Sequence, residues 1–370
     1  MIQALKRLFS KGSSGIGVEI APERINIVQL RPSGPGYKLE VYATAEVPEG
    51  VIQEGLIADP PELALLLHDT LAEHNIKPKS VATAIPAREG TIRILPVPKD
   101  LLENAEEMRE YMNQEAGLYL PFPREEADVD YQPLGEFTDE DGIDKVQVLL
   151  VATRKEVTDT YLNTFQEAGL KIDVLDLTSF ALLRTIRNQL LQLAPEEAVV
   201  IADLQFDSTE IAIVVDGIPQ FSRTITIGMY QVQTALSQAM NLPPSRNTDM
   251  LQGMNIPANP SEISGSGKMG GNNPGTQAMI KILSELADEL RRSIDFYVNQ
   301  SDGLEVSQLM LAGPGAAIGG IDEFFNQRLS LLTTVIDPVE NLALQVDEEQ
   351  LPLLQRPGLG VVLGLAMRET

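Results

Sequence analysis

Two stretches of this 370-residue chain, 184 residues apart, carry the same rhythm, and a duplication of that kind narrows the admissible folds more than any other feature. In the first stretch Ile16, Val18 and Ile20 alternate, with Glu19 placing a carboxylate at the strand's end. A tight turn follows at Ala21, Pro22 and Glu23, then strands through Ile25–Leu30 and Leu39–Tyr42 with the turn signals of 32–36 between them. In the second stretch strands over 199–202, 210–215 and 220–227 repeat the pattern, and Asp203 stands where Glu19 stood. A β-meander used twice is an internal duplication and predicts two related α/β halves.

The segments around the repeats are equally patterned. Asp59 and Pro60 open a helix with the stripe Leu63, Leu66, Leu67 and Leu71, and a strand over 81–85 ends at Pro86. Residues 91–176 then read β-α-β-β-α-β, the order of a ferredoxin-like subdomain inserted into the first half. Its helices are expected to start at acidic capping boxes, Asp100 with Glu103 and Thr153 with Glu156, and Gly169 is expected to end the second. A helix over 179–193 leads into the second meander, and 241–277, rich in Asn, Pro, Gly and Ser, reads as a long mobile loop. A long helix over 279–297, a strand over 307–311, the turn 312–316, a helix to 327, a strand through 335 and a helix near 359–367 complete the chain. The expected domains are a basic tail (1–14), a first half (15–90 and 177–197), an insert (91–176), a second half (198–228 and 305–370) and a smaller subdomain (229–304).

Composition removes whole function classes. With 28 Lys and Arg against 53 Asp and Glu the net charge is −25, and a surface so acidic repels nucleic-acid phosphates. The absence of Cys excludes disulfides, thiolate metal sites and a cysteine nucleophile. No run of 18 apolar residues is present, and the N-terminus lacks a secretory apolar region, so a cytoplasmic location is expected. Ile2, Leu5, Leu8 and Phe9, interleaved with Lys6, Arg7 and Lys11, read either as a frayed terminus or as a weak foothold on an anionic membrane or a neighbouring subunit. Gly265, Gly267 and Lys268 imitate a P-loop, but no strand precedes them and Met269 replaces the metal-binding hydroxyl. His68 and His74 are six apart, so they form no i,i+4 metal pair, and no Ser-His-Asp set presents itself.

The duplicated meander with a late strand–Gly-rich turn–helix is the layout of the actin-like ATPase superfamily. More narrowly, residues 15–370 resemble the PilM family of type IV pilus assembly. The resemblance rests on Leu120, Pro121, Phe122 and Pro123 leading to Val129, Asp130 and Tyr131, and on the runs VLLVATRKEV (148–157), EAGLK (167–171), DLTSFAL (176–182) and ELRRSIDFY (289–297). It implies an actin-like fold whose insert takes the position of the extra subdomain of the cell-division protein FtsA. It also implies a cleft for ATP and Mg²⁺. The first hairpin would contribute Glu19, Ala21 and Arg24, and the second Asp203, Gln205, Ser208 and Thr209, with Gly228 ahead of the next helix. Glu289, Arg292, Gly313, Gly315 and Ala316 would lie on the nucleoside side, and Glu19 and Asp203 near the metal. Glu289 and Arg292 read equally well as a solvated helix face.

A phosphate hairpin works through backbone N–H groups and glycines that admit the anion. Here Ala21 and Gln205 stand where glycine is expected, Pro22 lacks an N–H, and Glu23 and Asp207 add negative charge. The expectation is weak nucleotide binding with little or no hydrolysis, hence a scaffold rather than an enzyme. The resemblance further implies that the cytoplasmic N-terminal peptide of the inner-membrane protein PilN lies between the first half and the insert. Tyr119, Leu120, Pro121 and Phe122 are candidate lining, or merely pack that junction. Such a protein would sit peripherally at the inner membrane's cytoplasmic face and couple the membrane platform to motor ATPases, with a homo-oligomer or ring left open. The alternative is a filament-forming ATPase of FtsA type, which expects nucleotide-dependent polymers and an amphipathic C-terminal tail that 364–370 does not show. A sugar or acetate kinase would need intact phosphate hairpins.

Overall fold

The computed structural model describes residues 15–77, 80–194, 197–257, 273–301, 304–347 and 349–368. The basic tail 1–14, the P-loop imitation and residues 258–272 of the expected mobile loop lie outside the described residues. The strands are β1 (Gly15–Ile20), β2 (Arg24–Ser33), β3 (Gly36–Glu46), β4 (Ile52–Gln53), β5 (Leu56–Ile57), β6 (Ser80–Ile85), β7 (Gly90–Pro98), β8 (Ala127–Thr138), β9 (Asp144–Arg154) and β10 (Lys171–Leu177). The second half adds β11 (Ala198–Leu204), β12 (Thr209–Val215), β13 (Ile218–Ile225), β14 (Val306–Ala312) and β15 (Leu332–Val335). The helices are α1 (Pro60–Glu73), α2 (Ala105–Tyr119), α3 (Lys155–Glu167), α4 (Thr178–Thr185), α5 (Arg187–Leu190), α6 (Met229–Ala239), α7 (Pro274–Gln300), α8 (Ile321–Leu329), α9 (Pro338–Asn341) and α10 (Gly360–Ala366).

The duplication is visible in the topology. One sheet runs β10-β6-β1-β2-β3 and the other β15-β14-β11-β12-β13, each with an antiparallel meander on one side and two parallel strands on the other. In both, the central strand is buried along its whole length, as expected where helices or a second layer cover each face. A cluster shared by the halves draws Ala82 and Ala84 from β6, Val199 and Ile201 from β11, and Met310 from β14.

Between β6 and β10 the chain makes a separate three-stranded sheet, β7-β9-β8, with α2 on one face and Val97, Met108, Met112, Val148 and Leu150 as its core. The element order β-α-β-β-α-β is as the sequence suggests, but its last two elements serve the first half. β10 pairs with β6, and Val157, Tyr161 and Phe165 of α3 pack into the core formed with Leu63 and Leu67 of α1.

Several local expectations need correction. The cap of α2 is Asn104, whose side chain accepts from the N–H groups of Glu106 and Glu107; Asp100 lies in a preceding 3₁₀ turn. Thr153 does not cap α3, because it is paired within the β7-β9-β8 ladder and β9 continues through Arg154. The helix expected over 179–193 breaks at Ile186. The 241–277 stretch contains a 3₁₀ turn (Asp249–Gly253) and a bridge from Asn255 to Gly319, and α7 already starts at Pro274 behind the Asn273 cap. Finally, 305–370, expected with the second half, is divided. α10 lies against β1 and α4, so close that a Cβ on Gly17 would stand 2.5 Å from the Val362 carbonyl oxygen.

Candidate functional site

The two hairpin turns, at 21–23 and 205–208, face each other across the halves. Strand register places Glu19 opposite Asn26 and Asp203 opposite Glu210, equivalent positions under the duplication. The chemistry of the two pairs differs. Asn26 Nδ2 donates to Glu19 Oε2 (3.1 Å), whereas Asp203 receives both its hydrogen bonds from Gln205 Nε2 (2.9 Å to each oxygen). Glu210 instead accepts from the Ala87 N–H (3.0 Å) and the Thr178 hydroxyl (2.7 Å), tying the halves together.

Burial dominates the electrostatics. It raises Glu19 from the ordinary 4.5 to about 8 against the Asn26 bond, with Asp203 and Glu23 adding to the rise. Glu23 rises to about 7 through burial, opposed by Arg24, and Asp203 to about 7 through burial and the neighbouring Glu210. The cavity between the turns measures about 180 Å³ and is lined by Glu19, Glu23, Asn26, Gln205, Asp249 and Pro314, among others. Glu23 Oε2 and Asn26 Oδ1 are buried there without a hydrogen-bond partner. Among the described residues no group of three or more His, Asp or Glu is arranged to hold a metal ion.

The remaining residues expected around a nucleotide have protein partners. Arg24 spans the cleft to Asp249 (2.7 Å). Ser208 donates to Asp207 (3.0 Å) and Thr209 to the Ile227 carbonyl (2.7 Å). Gly313, at φ +80°, sits where a Cβ would be 2.5 Å from Asp203 Oδ1 and from the Leu204 carbonyl oxygen. Gly315 abuts Met229, Gly228 abuts Ser208, and Ala316 is buried, so these small residues let the late turn and α6 close onto the second hairpin. Glu289 pairs with Arg223 (3.3 Å) and with Arg292 on α7.

Residues that sequence reasoning missed complete the cleft. Arg246 donates to the carbonyl oxygens of Pro22 (2.8 Å) and Val47 (3.3 Å), with its guanidinium 5.6 Å from the Phe206 ring centroid. Arg88 pairs with Asp207 at 3.0 Å. Asn26 and Glu210 announced themselves as polar interruptions of aliphatic strands; Arg246 and Asp249, in a polar segment over 220 residues from the first turn, gave no comparable signal.

A second concavity, of about 550 Å³, lies between the insert and the first half. Its walls are two sheet edges, since among the described residues β8 pairs only with β9 and β10 only with β6. Ile85, Leu149, Val151 and Phe180 give it apolar lining, while Asp128 and Asp130 bring negative charge and Asp173 a carboxylate paired with exposed Lys171 (2.5 Å). Asp176 is tied to Arg184 (2.6 Å) and Arg368 (3.2 Å); burial works against its charge, but the two guanidinium groups hold its carboxyl below the usual range. Tyr119, Leu120, Pro121 and Phe122 are not among the groove's lining residues. Leu120 packs on the insert's core, and Arg154 stacks over the Phe122 ring at 4.4 Å.

Comparison with known proteins fits this geometry. A solved structure described as the PilM-PilN type IV pilus biogenesis complex contains a chain 26% identical to this one, with a TM-score of 0.77 and coverage of 96% of this chain and 98% of that one. The ethanolamine utilization protein EutJ from Carboxydothermus hydrogenoformans (13% identical, TM-score 0.55, coverage 96% and 89%) shares the fold. So does MreB5 of Spiroplasma citri, solved bound to ADP (11% identical, TM-score 0.53, coverage 96% and 95%). The two halves are therefore those of an actin-like ATPase fold. The family model described as type IV pilus assembly protein PilM matches residues 17–370, and the chain belongs to that family.

Proposed function

We propose that this protein is a type IV pilus assembly scaffold that holds the cytoplasmic N-terminal peptide of PilN in the groove between β8 and β10. The observation that carries the proposal is the pair of unpaired strand edges flanking a 550 Å³ groove. An extended peptide gains main-chain hydrogen bonds from such an edge and specificity from side-chain pockets. Cytoplasmic segments beside a membrane span carry an excess of Lys and Arg, and Asp128, Asp130 and Asp173 supply the opposite sign. On this reading the protein is peripheral to the inner membrane, recruited by its partner; among the described residues no helix is long and apolar enough to cross a bilayer. It links the membrane platform to motor ATPases, alone or as a homo-oligomer or ring, and does not itself turn over ATP, its cleft being degenerate for ATP and Mg²⁺.

The test is titration of the PilN N-terminal peptide against the full chain. Asp130→Lys combined with Asp173→Lys weakens binding about tenfold or more, with circular dichroism unchanged. Phe122→Ala leaves the affinity within about twofold, because its ring serves the Arg154 contact rather than the groove. Equal affinity in the charge-reversed variant rejects the β8–β10 groove.

A further inference from the structure

We infer that Arg24 and Arg246 hold the two halves together in the place where a nucleoside triphosphate would bridge them, and that the cleft takes no polyphosphate. This rests on reading the cleft as degenerate, and goes beyond it by naming what closes it.

Four observations converge. First, the donors of the first turn are spent. The Ala21 N–H goes to the Arg24 carbonyl (2.9 Å), Pro22 has none, and the Glu23 N–H lies against its own carboxyl. In the second turn the Gln205 N–H goes to the Ser208 carbonyl (3.0 Å), and the Gln205 side chain covers both oxygens of Asp203. Second, the two polar atoms left without partners at the cavity are oxygens: Asn26 Oδ1 carries no proton for a phosphate to accept, and the Glu23 carboxyl repels a phosphate once it ionises above about 7. Third, the cavity directly between the turns holds only about 180 Å³, against ~300–1,000 Å³ for ordinary small-molecule sites, and the concavity of about 480 Å³ beside it sets Glu23, Glu46 and Glu49 around Arg24 and Arg246, a lining that repels phosphate. Among the described residues no group of three or more carboxylates or imidazoles is arranged to hold a Mg²⁺ ion that would offset this repulsion.

Fourth, the cationic groups that a polyphosphate would recruit are already used between the halves. Arg24 leaves β2 for Asp249, and Arg246 returns from the same segment of the second half to the Pro22 and Val47 carbonyls. The two side chains cross the cleft in opposite directions. Arg246 thus sits on the backbone of the turn that a phosphate would approach, with its planar group beside Phe206.

The experiment uses the full chain, with hydrogen exchange as one readout and Mg-ATP calorimetry as another. Wild-type protein shows no saturable heat up to millimolar Mg-ATP. Arg246→Ala and Asp249→Asn, the latter removing the negative charge that Arg24 pairs with while sparing the arginine, each speed amide exchange in 20–26 and 204–208 about tenfold. Amides of β7 and β9, and affinity for the PilN peptide, stay at wild-type values; should Arg246→Ala not fold, Asp249→Asn alone decides. Saturable sub-millimolar Mg-ATP binding overturns the inference, as does unchanged exchange in the variants. Failure of the peptide to bind wild-type protein would instead reject the scaffold proposal and leave the arginine bridges standing.

Discussion

Glu19 and Asp203 sit at equivalent places in a duplicated structure, yet one is bonded by an asparagine and the other faces a second carboxyl. Their proton affinities are linked to folding. Glu19, Glu23 and Asp203 titrate near 8, 7 and 7 in the folded protein, against about 4 when unfolded. Between those limits the native state holds protons that the unfolded chain has released, so stability declines as pH rises from about 5 through about 8. The melting temperature therefore falls over that window, and Glu19→Gln, which stays neutral and can still bond Asn26, flattens the fall. A melting temperature that rises from pH 5 to 8, or a slope unchanged by Glu19→Gln, contradicts this. At this scale the sequence was legible where a polar residue interrupts an aliphatic strand, as at Glu19 in Val18-Glu19-Ile20. It was illegible where the partner comes from far along the chain, as with Arg246 on Pro22.

Single elements were legible where local chemistry decides them. Asp59 with Pro60 starts α1, and Gly169, at φ +79°, ends the turn after α3, both as the sequence indicates. Misreadings arose where tertiary pairing overrode a local signal. Thr153 has the spacing of a cap, but the ladder of β9 claims it. β10 closes a β-α-β-β-α-β run, but the exposed edge available to it is β6 of the first half. Likewise α10 follows the second half in sequence and packs on the first, where Arg184 donates to the Gly364 carbonyl at 2.7 Å. That packing leaves no room for a methyl group, since a Cβ on Gly364 would lie 1.9 Å from the Ala181 carbonyl oxygen. Gly364→Ala accordingly destabilises by about 1–3 kcal/mol or more through overpacking, read as a lower denaturant midpoint with the slope retained. A neutral substitution would mean that α10 is not seated against α4.

For the whole molecule, the repeat period alone anticipated two sheets of matching topology, because a meander that recurs at a constant offset must satisfy the same burial pattern twice. The groove was not readable in the same way. It exists only because β8 and β10, 41 or more residues apart in sequence at the segments that line it, are each the edge of a sheet. Of the residues put forward from the sequence, Tyr119 ends α2 and Leu120 to Phe122 lie in the connection that leads towards β8, and none is among the groove's lining residues. Charge divides the labour between the two concavities. The cleft has turned its cations on its own carbonyl and carboxylate groups, while the groove, though Asp173 and Asp176 have cationic partners, keeps Asp128 and Asp130 beside unpaired backbone. The most direct measurement is amide hydrogen exchange of the full chain with and without saturating PilN N-terminal peptide. Strand addition predicts slowed exchange in 128–132 of β8 or 173–177 of β10, with the hairpin turns 20–26 and 204–208 unaffected. Protection confined to the hairpin turns, or absent from both strand edges at saturation, would contradict the account.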